Sequence, residues 1–145
     1  MTATALVRRV LPAPPLDVYD EWLDPDALAD WMCPRPAVPT KIECDPRVGG
    51  RYRFDIDEVG QQMTVTGRYL ELRRPHLLRF TWHCSTWPPD APESLVTVTL
   101  DAHGGAGTLM TIEHTSLRPD LVDRHEHGWA LIAAQLATTL PRPAP

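Results

Sequence analysis

Apolar side chains recur at every second position through four successive stretches: Gln62 to Leu72, His76 to Cys84, Glu93 to Asp101 and Thr108 to Thr115. From Asp120 onward they recur at every third or fourth position instead. The first pattern is that of strands with one buried face, and the second is that of a helix with one buried stripe. Pro75 and Gly104-Gly105 separate the strands with turn residues, which predicts an antiparallel meander. The alternation places Leu78, Phe80 and Trp82, then Val96, Val98 and Leu100, then Met110, Ile112 and His114 on one face. A sheet with that face exposed is unstable in water. The stripe of Val122, His125, Trp129, Ile132, Leu136 and Leu140 supplies its cover. Asp120 is the expected N-cap, and a helix of about 20 residues spans about 30 Å, enough to cross a small sheet.

The first sixty residues extend the same plan. Thr4 to Leu11 alternates as a strand, and Pro12, Pro14 and Pro15 end it because proline donates no ladder hydrogen bond. Leu16, Val18, Tyr19, Trp22 and Leu23 then recur at helical spacing. Asp24-Pro25 reads as an N-cap with proline in the first turn of a second short helix, ending near Trp31. Val38 to Asp45 and Arg51 to Asp57 are strands joined by a tight turn at Gly49-Gly50, which puts Tyr52, Phe54 and Ile56 on the buried face. The predicted fold class is therefore α+β: a curved antiparallel sheet, two short helices after its first strand, and a long C-terminal helix across its concave face.

The whole chain, 1–145, suits one domain with one core. A net charge of −5 disfavours the basic surface that nucleic acid requires. Fourteen basic residues with a single lysine, Lys41, and sixteen prolines suggest a GC-rich bacterial genome. Met1 to Val10 carries Arg8 and Arg9 without an apolar run long enough for a signal peptide or membrane span, so a cytoplasmic protein is expected. Cys33, Cys44 and Cys84 are odd in number and widely spaced, unlike a disulfide framework or a zinc site. The prolines at Pro141 to Pro145 predict a frayed tail.

Five tryptophans need a physical account in so short a chain. Trp22, Trp31 and Trp82 read first as core residues and second as ligand contacts. Trp129 on the helix stripe is the leading ligand-facing tryptophan, and Trp87, among Pro88, Pro89 and Pro92, is a candidate gate. His114 and His125 fall on inward stripes, where each imidazole meets either a polar ligand group or a protein partner. His125-Glu126-His127 lacks metal spacing, because adjacent helical side chains point about 100° apart. His83 alternates away from Trp82, so no metal site is expected. No nucleophile elbow, phosphate-binding loop or dinucleotide fingerprint is present, and Glu113 and His114 point to opposite faces, so no catalytic residue and no cofactor is assigned.

Trp22 with Asp24-Pro25 and Trp31, Asp45-Pro46 before Gly49-Gly50, Gly67-Arg68-Tyr69, Pro75 followed by Leu78 to Trp82, Gly107-Thr108 and Gly128-Trp129 follow one another over nearly the whole chain. In this order they resemble the helix-grip, START-like (SRPBCC) superfamily that includes the birch-pollen allergen (Bet v 1-like) group. Within it they resemble bacterial homologues of the heat-shock protein 90 ATPase activator C-terminal domain. The resemblance implies a cavity between sheet and long helix, used in the superfamily for apolar ligands. It carries no chaperone role with it, since the eukaryotic activator grips its chaperone with a further N-terminal domain. The expected function is binding or sequestration of an apolar or amphipathic small molecule, with Trp31, Tyr52, Phe54, Trp82, His114, His125, Trp129 and Ile132 as candidate ligand contacts. The alternatives are a polyketide cyclase-like enzyme and a stress- or chaperone-associated interaction module. Glu113-His114-Thr115 and Gly128-Trp129 are also similar to START-like self-resistance proteins that intercept enediyne antibiotics. Neither the ligand nor the oligomeric state is legible.

Overall fold

Proline and glycine punctuation sets the element boundaries in the computed structural model, which describes residues 2–143. The order is β1 (Ala3–Leu11), α1 (Pro15–Glu21), α2 (Pro25–Trp31), β2 (Val38–Cys44), β3 (Arg51–Glu58), β4 (Gln61–Arg73), β5 (Leu77–Cys84), β6 (Ser94–His103), β7 (Gly107–Leu117) and α3 (Val122–Thr139). The strands form one sheet in the order β1-β7-β6-β5-β4-β3-β2, with antiparallel pairing throughout. Consecutive strands from β2 to β7 are neighbours, and β1 closes the sheet beside β7.

Register brings the alternating apolar positions together. Leu78 lies opposite Val98, Phe80 opposite Val96, Val98 opposite Ile112 and Leu100 opposite Met110. These residues, with Tyr52, Phe54, Ile56, Trp82 and His114, are all buried. α3 packs against them with Trp129, Ile132, Ala133 and Leu136, which the helical stripe had marked out except for Ala133. Each large side chain so buried contributes about 1.5–3 kcal/mol relative to exposure.

α1 stops at Glu21, so Trp22 caps it, and Leu16 faces solvent at 42% exposure instead of joining the stripe. α2 starts as the sequence reads: Asp24 Oδ1 accepts from the Asp26 N–H at 3.0 Å, with Pro25 next to it. Asp120 does not cap α3. Pro119 opens a 3-10 turn, Pro119–Leu121, that draws Asp120 into its middle, where its carboxylate pairs with Arg118 at 3.0 Å. Leu121 holds the N-cap position without a side-chain bond, and α3 runs for 18 residues, about 27 Å, with Leu140 just beyond its end.

The β2–β3 connection is a loop over residues 45–50 instead of a two-residue turn. Gly49 adopts φ +85°, and the loop folds back on β4. The Gly49 N–H donates to Tyr69 O at 2.8 Å and the Tyr69 N–H to Gly50 O at 2.9 Å. In β4, Gly67 is required by close approach. A Cβ there would lie 2.0 Å from Thr81 O and 2.5 Å from the Tyr52 ring. The absent side chain lets Tyr52 lie across β4 and donate its hydroxyl to Thr81 O at 2.6 Å.

The chain beyond α3 is anchored as far as it is described. Arg142 reaches back to Glu21, Asp30 and Ala27 O, so the expected fraying does not apply to 141–143. Ala144 and Pro145 lie outside the described residues, as does Met1.

Candidate functional site: a cavity under the long helix

The N-terminal half of α3 stands over a cavity of about 330 Å³ instead of sealing the sheet. Arg124, His125, Gly128, Trp129 and Ile132 form its helical wall. Ile56 and Glu58 of β3, Met63 and Val65 of β4, and Trp82 and Cys84 of β5 form the sheet side. Met32, Cys33, Pro34 and Ala37 after α2 close one flank, and Thr86, Trp87 and Pro88 after β5 close another. Leu121 and Arg118 complete the wall. The indoles of Trp82 and Trp129 meet with ring centroids 5.1 Å apart. The wall is mostly apolar, with a few polar groups among its aromatic faces, as in small-molecule sites generally.

Of the candidate contacts, the structure gathers Trp82, His125, Trp129 and Ile132 on this wall. Trp31, Tyr52, Phe54 and His114 do not line it. Trp31 is wholly buried, its Nε1–H donating to Glu21 Oε1 at 2.9 Å. Tyr52 and Phe54 surround a separate void of about 10 Å³ with Trp22, Met32, Tyr69, Leu78 and Phe80. Trp87, the candidate gate, does line the cavity and packs between His83 and His125 at centroid distances of 5.5 and 5.7 Å.

His114 is held in a hydrogen-bond chain that fixes every proton. The Trp129 Nε1–H, a donor only, is 3.0 Å from Nδ1, so Nδ1 is the acceptor and Nε2 carries the proton. Nε2 then donates to Ser94 Oγ at 2.7 Å, and the Ser94 hydroxyl donates to Trp82 O at 2.8 Å. The ring is 0% exposed. Burial first, and His125 nearby second, push its pKa down to about 3. A proton on Nδ1 would face the Trp129 N–H, so the folded state holds His114 neutral.

This sets a pH dependence. The unfolded chain protonates His114 near pH 6.5 whereas the folded protein does not, so the stabilisation is complete above that pH and is lost as pH falls toward 3. Between pH 7.5 and 5 the loss from this residue is about 2 kcal/mol. Urea titrations at both pH values check it: wild type is expected to lose about that much more stability than His114→Gln, and equal losses would show that His114 is not held neutral.

His125 is in a different position. It is half-buried on the cavity wall, and Nδ1 lies 2.9 Å from Leu121 O. A carbonyl only accepts, so Nδ1 carries the proton. Burial, chiefly, lowers its pKa, against the opposing effect of the Leu121 bond. The two imidazoles meet edge to face with centroids 5.0 Å apart.

Sequence reasoning missed Met32, Cys33, Met63 and Val65 as wall residues. Cys33 follows a helix end with φ +77°, a local conformation that periodicity does not reveal. Its burial pushes the thiol up to about 12, so it stays protonated. Arg118 and Arg124 stand on the polar side of the cavity, paired with Asp120 at 3.0 Å and Glu58 at 3.8 Å. Among the described residues, no three His, Cys, Asp or Glu side chains gather as a metal site, and no helix is long and apolar enough to cross a membrane.

Solved structures share this architecture. Protein CV1439 from Chromobacterium violaceum is 32% identical, with a TM-score of 0.85 over 97% of this chain and 98% of its own. Protein NE0264 from Nitrosomonas europaea is 23% identical, with a TM-score of 0.80 over 94% and 93%. CalU16 from Micromonospora echinospora is 20% identical, with a TM-score of 0.70 over 98% and 86%. The last two show likeness of fold alone. No curated protein matches the chain. The family described as Activator of Hsp90 ATPase homolog 1-like protein matches residues 12–141, from the end of β1 to the residue after Leu140. With that match over nearly all its length and a START-like helix-grip fold, the chain belongs to the Activator of Hsp90 ATPase homolog 1-like family.

Proposed function

We propose that this protein binds or sequesters an apolar or amphipathic small molecule in the cavity beneath α3. The observation that carries the reading is an aromatic-walled space of about 330 Å³, bounded by Trp82, Trp87, Trp129 and Ile132. Removal of apolar ligand surface from water supplies the affinity, about 25 cal/mol per Å². A cytoplasmic location accords with three cysteines that are all free thiols. The cyclase-like alternative asks for a titrating acid or base in the cavity. His114 is committed to its hydrogen-bond chain and does not line that space, and His125, which does line it, bonds only to the Leu121 carbonyl, with no acid or base hydrogen-bonded to it among the described residues.

Titration with a set of apolar aromatic compounds, followed by tryptophan fluorescence, tests the proposal. Saturable quenching or a spectral shift is expected, because Trp82, Trp87 and Trp129 border the space. It is expected to be nearly independent of salt, since apolar burial has no long-range charge to screen. Ile132→Glu is expected to abolish it by placing a carboxylate on the wall. Folded wild-type protein that gives no saturable response across the set would remove the reading's support.

A further inference from the structure

We propose that His125 accepts a hydrogen bond through Nε2 from a hydroxyl group on a bicyclic aromatic ligand, so that the cavity selects phenols and aryl alcohols over the matching hydrocarbons and ethers. This rests on the small-molecule reading above and specifies the chemistry of its ligand.

The tautomer comes from the helix itself. With Nδ1 donating to Leu121 O one turn back, the neutral ring bears its free lone pair on Nε2. Nε2 has no hydrogen-bond partner among the described residues, whereas both nitrogens of the adjacent His114 are used within the protein. Edge-to-face packing against Trp87 and His114 holds the ring in place. Burial lowers the His125 pKa, which keeps the lone pair available at neutral pH.

The other polar side chains on the wall include two arginines, each facing a carboxylate, and a threonine beside a thiol. Arg118 and Arg124 pair with Asp120 and Glu58, and Thr86 Oγ1 lies 3.2 Å from Cys84 Sγ. The cavity volume of about 330 Å³ is roughly twice the ~150 Å³ that accommodates one benzene, which suits two fused rings. An apolar ligand of that size would strip water from Nε2 and leave it without a donor. A hydroxyl restores the lost bond, and its absence is penalised, which is how a buried polar group discriminates between similar ligands.

Equilibrium dialysis of the full chain at pH 7.5 against 2-naphthol, 2-methoxynaphthalene, naphthalene and 2-naphthoate tests this. 2-Naphthol is expected to bind about five- to tenfold more tightly than either the ether or the hydrocarbon, as one net hydrogen bond allows. In His125→Phe its affinity is expected to fall to within about twofold of the ether's. The comparison among compounds on wild type decides the matter even if that variant does not fold. Equal binding of naphthol, ether and hydrocarbon would overturn the His125 anchor and leave the cavity reading intact. Tightest binding of naphthoate would transfer the anchor to Arg118 or Arg124, and no saturable binding of any of the four would overturn both readings.

Discussion

Trp129→Ala is expected to lower folding stability by about 3–5 kcal/mol, the cost of removing a large aromatic from a core that only partly collapses. The indole is 3% exposed and packs on Trp82 at 5.1 Å and Trp22 at 6.1 Å. It is also the donor that satisfies His114 Nδ1. Trp129→Phe separates these contributions. It keeps much of the packing while leaving Nδ1 without a donor inside the protein, an expected cost of about 1–3 kcal/mol. It also removes the N–H that opposes protonation of His114, so the acid sensitivity tied to that residue is expected to weaken. Urea unfolding of both variants at two pH values reads all three effects. If Trp129→Phe matches wild type in stability and in pH response, the Trp129–His114 bond has no energetic role.

The residues that repeat at regular intervals were the legible ones. The faces of β5, β6 and β7 and the stripe through Trp129, Ile132 and Leu136 follow from periods of two and 3.6, because burial imposes those periods on composition. Ends of elements were less legible. Asp120 has the side chain of an N-cap, but Pro119 starts a 3-10 turn that moves the helix start one residue along, to a cap at Leu121. Gly49-Gly50 looks like a tight turn, yet its loop is shaped by β4, which is distant in sequence.

For the site, periodicity marks side chains that face inward without distinguishing a filled interior from a hollow one. Tyr52 and Phe54 face inward beside Tyr69 and Phe80, where the rings occupy the space themselves. Trp82 and Ile132 face inward where α3 stands over the cavity. The two histidines differ for the same reason. His114 meets a tryptophan and a serine from other elements and is satisfied by them, whereas His125 has only its own helix carbonyl. Sequence shows two imidazoles on inward stripes, and only tertiary packing decides which retains a free nitrogen.

Arg142→Ala is expected to cost about 3 kcal/mol, although the residue lies in a proline-rich segment that reads as a loose tail. The cause is Glu21, a carboxylate 6% exposed at the end of α1. Its Oε1 accepts from Trp31 Nε1 and from Arg142 Nη2, each at 2.9 Å, and its Oε2 accepts from Arg142 Nε. Arg142 also reaches Asp30 Oδ2 at 2.9 Å, so one guanidinium ties α1, α2 and the chain after α3 together. Without it, Glu21 keeps a single indole donor for a buried charge. Breaking such a pair costs about 3–5 kcal/mol when fully buried, and the lower end applies because the Arg142 side chain is 38% exposed. Arg142→Lys is expected to recover only part of the loss, since a single ammonium cannot match the two-pronged contact. The double variant Glu21→Leu with Arg142→Met is expected to be more stable than Arg142→Ala, because it leaves no carboxylate to desolvate. Denaturant unfolding of the three proteins gives the order directly, and a loss below about 1 kcal/mol for Arg142→Ala would place that contact among ordinary surface ion pairs.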